Sequence, residues 1–432
     1  MNVDESVFLK PFFLALTKAG VTYAVMRNGG NLPETLGGSD LDLMVGEGDL
    51  REARAIALRI AQSVGGKLMG EIRSPRFCEL AFLGNDKGTW WGAEIDICDG
   101  GYILEPLDGN KVLSFRERNR LGVCVLNQSC ADLLGCGKEL AMNGSLPEKY
   151  LQGARMALDT SVEECFSDEM FRSFVHVAVK TGCAPARAAW RNVRRHLMLR
   201  ALKKNPIVLL RQRFGYYLSK AYRLVHPVGK FVAVMGTDGS GKSTLLDAVA
   251  PILGLAFHRS VKIQHLKPDF LPPLGRFRGV KYEPGTLCAN PHGSRPSNAA
   301  GSLFRIAYLT ADYVLGYWIK VRRHVAKLPV GLWVFDRYAY DLLFDPRRFR
   351  ISLPLWIIRS FMCFVPKPEI VFCLGGDPEK IFARKPETSI EEVCRQVEAL
   401  HAFAETHPNS VWIDTTRPLE ESADEFLRGL MK

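Results

Sequence analysis

FVAVMGTDGSGKSTLL, residues 231–246, places an apolar run before glycines at 236, 239 and 241, and these before Lys242, Ser243 and Thr244. The apolar run predicts a buried strand, and the residues from Lys242 onward predict a helix. Glycines between them let the backbone turn so that successive N–H groups point inward at phosphate oxygens. The helix start adds the positive end of its dipole. In the pattern G-x-x-x-x-G-K-[ST], Lys242 supplies a point charge to the β- and γ-phosphates, and the Ser243 hydroxyl is a Mg²⁺ ligand. ATP and Mg²⁺ are therefore the expected cofactors. Gly236, Gly239, Ser240, Gly241, Lys242, Ser243 and Thr244 form the expected cradle. Such a loop ordinarily closes the first strand of its domain, yet here it follows 230 residues.

Downstream of the loop, apolar strand candidates at 231–235, 261–264, 332–335, 370–374 and 411–413 alternate with helical stretches. That alternation predicts an α/β domain over 229–432 with a five-stranded parallel sheet. The third strand runs into WVFDRYAYDLLFDPRRFR, residues 333–350. An aspartate at a strand's C-terminal end lies beside a phosphate loop, so Asp336 is a candidate for Mg²⁺ or acceptor contact. Arg337 can hold a phosphate through two parallel hydrogen bonds. In ARKPETSIEEVCRQ, residues 383–396, Arg384, Lys385 and Arg395 suit a segment that closes over a transferred phosphoryl group, or a solvated helix face.

MGTDGSGKST, together with FDRY and the later Arg-rich segment, resembles the thymidylate kinase family of nucleoside-monophosphate kinases over residues 229–432. The resemblance implies that Asp238 contacts the acceptor. It implies that Asp336, Arg337 and Tyr338 organise metal and acceptor phosphate, and that the loop 414–418, with Arg417, holds adenine. Catalysis would then rest on Lys242, Asp238, Asp336, Arg337 and Arg384. The chain departs from the family at Met235, where a Glu is usual, and at Phe335, where a Ser is usual. The run after Tyr338 and the loop HLKPDFLPPLGRFRG, residues 265–279, also differ. These features are similar to thymidylate-kinase-like proteins found with bacterial surface-polysaccharide genes. The acceptor is thus a nucleoside monophosphate or a phosphorylated sugar, with His265, Lys267, Arg276 and Arg278 as candidate contacts. Asp312, inside an apolar helical stretch, is either a base or substrate anchor or a paired helix charge.

A second constellation lies in VMRNGGNLPETLGGSDLDLMV, residues 25–45. Asp40 and Asp42 alternate at a strand start, which puts both carboxylates on one side. Two such groups bridge divalent ions in triphosphate chemistry. AEIDIC, residues 93–98, offers Asp96, with Glu94 on the same face. The glycine pair, the spaced aspartates and the third carboxylate resemble the nucleotidyltransferase superfamily of DNA polymerase beta over residues 20–100. The resemblance implies an α+β domain with Asp40, Asp42 and Asp96 as metal ligands. Gly30 stands where a serine is usual, and turn chemistry also explains an aspartate after Ser39. An active nucleotidyltransferase and a structural or regulatory module both stay open.

The remaining expectations come from bulk properties. The net charge is +11, and from 170 to 237 the chain has 14 Lys and Arg and no Asp or Glu. Most of this basic segment falls in a helical connector over 151–228, between domains at 1–150 and 229–432. It fits a connector packed by its apolar face, a membrane surface or a negatively charged substrate. No nucleic-acid module is recognisable. Eleven cysteines without a C-x-x-C spacing read as thiols in a reducing cytoplasm, Cys363 and Cys373 as buried ones. The acidic start MNVDESVFLK does not read as a secretory leader, and no run of 18 apolar residues exists. The expected location is cytoplasmic, with the inner membrane face open. The expected partner is a nucleotide or phosphorylated small molecule, and a homodimer is left open. A non-catalytic nucleotide switch or scaffold is the alternative from a different class.

Overall fold

The computed structural model describes residues 1–100, 106–272, 297–327, 329–386 and 389–432. Arg276 and Arg278 lie outside the described residues. The chain forms two compact units. One comprises Asn2–Tyr222 with Leu255–His258; the other comprises Met1, Arg223–Gly254 and Arg259–Lys432.

The first unit is built on a mixed eight-stranded sheet. Its strands are β1 (Asn2–Val3), β2 (Tyr23–Val25), β3 (Leu41–Val45), β4 (Gly66–Ser74), β5 (Phe77–Asp86), β6 (Thr89–Cys98), β7 (Arg116–Arg118) and β8 (Cys124–Leu126). The order is β4-β5-β6-β3-β2-β8-β7, with β1 also paired to β6. Alternation assigns each face. Leu41, Leu43, Val45, Ile95 and Ile97 point to one core, where helices Ser6–Lys18 and Leu50–Ser63 bury Phe8, Phe12, Ile56 and Ala57. Met44 and Ala24 point to the other core, formed with helices Gln128–Asn143, Glu148–Ala157 and Glu169–Thr181. Helix Arg187–Lys204 adds Val193 and Leu197 to that second core.

The second unit contains β9 (Lys230–Gly236), β10 (Val261–His265), β11 (Leu332–Asp336), β12 (Ile370–Gly375) and β13 (Ser410–Asp414). All pairings are parallel and the order is β10-β11-β9-β12-β13. The three central strands, buried on both faces, read as unbroken apolar runs for that reason. After β11 the chain crosses β9 to reach β12, so a crevice opens at the carboxyl ends beside β9.

The fold class is therefore α/β, with a mixed sheet in the first unit and a parallel five-stranded sheet in the second. Two details differ from the sequence expectation, and a third falls on one of the alternatives it left open. Strand β3 starts at Leu41, so Asp40 precedes it. Cys363 is exposed at the end of helix Leu355–Met362, whereas Cys373 is buried in β12. Asp312 is a paired charge: its buried carboxylate accepts from the Phe270 and Leu271 N–H groups at 2.8 and 2.6 Å and from Lys267 at 3.2 Å. No helix among the described residues is long and apolar enough to cross a membrane.

Candidate functional sites

In the second unit, β9 ends at Gly236, where a Cβ would meet the Ser240 Oγ at 2.4 Å. Gly239 and Gly241 take φ of +84° and +76°, a region that L side chains rarely enter. A Cβ on Gly239 would also come within 2.7 Å of the Ile381 carbonyl oxygen. The cradle is therefore built for a backbone without side chains. Helix Lys242–Phe257 begins at its far side, with Ser243 and Thr244 exposed on the first turn. The buried Lys242 ammonium donates to the Gly236 and Thr237 carbonyls at 2.9 and 2.8 Å. Burial, then the positive Arg337, lowers its pKa to about 7. The buried Thr237 Oγ1 has no protein partner.

Asp336 ends β11, where parallel register sets it beside Val234 of β9 and His265 of β10. His265 Nδ1 lies 3.1 Å from one of its oxygens, and the other, Oδ1, is buried without a partner. Burial alone would raise the Asp336 pKa. The His265 bond and Lys242 override it, so the group is held below the usual carboxylate range.

The next residue, Arg337, has φ of +74°, a strained setting for a non-glycine residue. Its N–H is held by the Val234 carbonyl at 2.9 Å. The buried guanidinium bonds to Asp238 and reaches Asp341 at 3.2 Å. Arg348 donates to the other Asp238 oxygen at 2.7 Å. Burial opposes the charge on Asp238, but Arg337, Arg348 and Lys242 together hold its pKa far below the ordinary value. Between Thr237, Arg337, Asp341, Phe344, Arg348 and Gln396 lies a cavity of about 20 Å³. That is room for roughly one water. Two guanidiniums thus face a small space at the mouth of the loop.

The remaining candidates sit further out. Arg384 donates to the Thr415 carbonyl at 3.0 Å, and its Nη1 stands 3.9 Å from where a Gly241 Cβ would be. Lys385 lies against Gly239. Arg395 is half-exposed and paired with Glu392. Arg417 is exposed and lies 3.5 Å from both Asp414 and Glu425. Lys267 is engaged by Asp269 and Asp312. Arg348 and Asp341 were not singled out from the sequence, although both lie in the quoted run after Asp336.

In the first unit, ligand oxygens of Asp40, Asp42 and Asp96 all lie within 4.8 Å of one another. Register explains this: Asp42 on β3 stands opposite Asp96 on β6, and Glu79 on β5 stands opposite Asp96 from the other side. Cross-strand neighbours share a face, as do residues two apart, so Glu94 joins the row. Arg27 sits among them, bonded to Asp42 and to both oxygens of Asp40 at 3.1 and 3.0 Å. Asp96 Oδ1 and Glu94 Oε2 are buried without a hydrogen-bond partner. Burial, then repulsion from Glu79 and Asp96, pushes Glu94 up to about 9. Asp96 is likewise raised well above the usual range by burial and by Glu79 and Asp42. Arg27 and Glu79 lacked a sequence signal, because only sheet pairing brings them to the aspartates.

A five-stranded parallel sheet with a glycine-rich turn at the end of its central strand gives the second unit an α/β fold. Among solved structures, the thymidylate kinase from Ehrlichia chaffeensis is similar to this chain at a TM-score of 0.32 and 14% sequence identity, over 46% of this chain and 97% of that one. No family model matches the chain, and no curated protein is similar to it in sequence.

Proposed function

We propose that residues 229–432 catalyse ATP- and Mg²⁺-dependent phosphoryl transfer to a phosphorylated acceptor, either a nucleoside monophosphate or a sugar phosphate. One observation carries this reading: Lys242, Asp336 and the Asp238–Arg337 pair converge at the carboxyl ends of adjacent parallel strands. The residues present fit the cofactors. The cradle admits no Cβ at Gly236, Thr237 Oγ1 lacks a partner, and Asp336 offers a buried free oxygen. Ser243 and Asp336 would hold Mg²⁺, which when bound neutralises phosphate charge. Gly236, Gly239, Ser240, Gly241, Lys242 and Thr244 would hold the triphosphate, with Arg417 near the adenine.

The chain's own residues then have separate tasks. Lys242 leaves the loop carbonyls and places its charge on the triphosphate. Arg337 and Arg348 face the acceptor side, and an incoming phosphate replaces Asp238 as their partner. Asp238, once released, is free to accept a hydrogen bond from the acceptor. Arg384 borders the loop from the far side and screens it from water. The test is ADP release by the full chain against nucleoside monophosphates and sugar phosphates. Stimulation by one acceptor, lost in Lys242→Ala, supports the reading; acceptor-dependent turnover retained in that variant refutes it.

A second reading concerns the first unit, which we propose to be nucleotidyltransferase-like. The two orphaned carboxylate oxygens beside Asp40 and Asp42 favour a divalent cation there. Asp40, Asp42 and Asp96 would be its ligands. Pyrophosphate release that disappears in the Asp40→Ala, Asp42→Ala double variant, with ADP release intact, would separate this activity from the first.

A further inference from the structure

Helix Pro206–Val225 presents Ile207, Leu210, Phe214, Tyr217, Leu218 and Tyr222 to solvent, with exposures from 57% to 76%. Spacings of three and four place Ile207, Leu210, Phe214, Tyr217 and Leu218 on one continuous stripe, with Tyr222 at its margin. Leu209, on a different side of the helix, is buried at 6% exposure. Tyr216, nearly opposite the stripe, is 54% exposed, so the helix turns its apolar stripe outward and, among its described residues, packs against a core through little more than Leu209.

Charge decides what could cover such a stripe. On the same helical spacing Arg211 borders one edge, and Arg213 and Lys220 border the other. No Asp or Glu occurs between 170 and 237. A second copy of the helix would bring like charges to both edges, where paired helices need opposite ones. Anionic headgroups neutralise both edges at once, while Phe and Tyr rings suit the boundary between headgroups and acyl chains. The helix lacks the apolar length to cross a bilayer.

We infer that helix Pro206–Val225 lies in the plane of an anionic phospholipid surface and docks the chain there. This inference stands whether or not the kinase reading does.

The experiment is co-sedimentation of the full chain with vesicles of phosphatidylcholine, with and without phosphatidylglycerol. The chain is expected to bind the mixed vesicles and not the neutral ones, and less as salt rises. Phe214→Glu with Leu218→Glu should lower the partition coefficient at least about tenfold. Arg211→Gln and Lys220→Gln should each lower it about fivefold. All four side chains are exposed, so unchanged thermal unfolding is expected. Absent binding, equal binding to neutral vesicles, or wild-type binding by the Glu double variant overturns the inference. So does a dimer that the double variant splits while vesicle binding is absent, since the stripe is then a subunit interface.

Discussion

The buried carboxylates of the first unit make their ionisation a measurable liability. Glu94 is about 3% exposed, has an oxygen without a partner, and faces Glu79 and Asp96, so its pKa rises from 4.5 to about 9. The unfolded chain ionises this group near 4.5, whereas the folded one keeps it protonated up to about 9. Below 4.5 both states carry the proton and Glu94 costs nothing. Between the two values the folded state binds the extra proton, so stability falls as pH rises. At pH 7 the gap from 4.5 is two and a half pH units, or about 3 kcal/mol at about 1.4 kcal/mol per unit. Glu94→Gln removes this titration and retains the shape. In EDTA at pH 7 the variant should melt about 6–12 °C higher, at the 2–4 °C per kcal/mol typical of a unit this size. At pH 5 the difference should shrink to about 1–3 °C. The assay is thermal unfolding of wild type and variant across pH 5 to 9. A variant that melts with the wild-type pH slope, or lower than wild type at pH 8, would show that Glu94 is already ionised and compensated.

Other expectations concern single side chains. Lys242→Ala should reduce phosphoryl transfer at least about 100-fold, measured as ADP release at saturating acceptor. Arg348→Ala should raise the acceptor KM about tenfold or more, the worth of a charged hydrogen bond, and leave the ATP KM unchanged; an effect on ATP alone would place Arg348 on the wrong side of the loop. Arg27→Ala frees Asp40 and Asp42 from their resident cation. It should tighten Mn²⁺ binding about tenfold, read by calorimetry, and an unchanged or weaker affinity would show that Arg27 does not compete with the ion.

The parallel sheet was legible because burial on both faces leaves no polar positions to interrupt its strands. The apolar runs at 231–235, 332–335 and 370–374 differ by only a residue at either end from β9, β11 and β12. The mixed sheet was less so. Strand β4 is only partly buried and bulges between Leu68 and Gly70, so its pattern carries little periodicity. Strands β7 and β8 have three residues each, too few for a pattern.

The sequence by itself determined the glycine cradle, Lys242 and the aspartates at 40, 42, 96 and 336 as candidates, because each belongs to a local turn, helix start, or strand or strand edge; Asp238 came only from the resemblance. Only the tertiary structure decided their companions. Arg348 reaches Asp238 across 110 residues, and His265 reaches Asp336 across 71. Glu79 and Asp96 meet through an antiparallel register, and Arg27 enters the carboxylate row from the loop after β2. Local spacing encodes what one segment can present. Which charges oppose or cancel one another depends on strand order and register, which arise from the packing of whole faces.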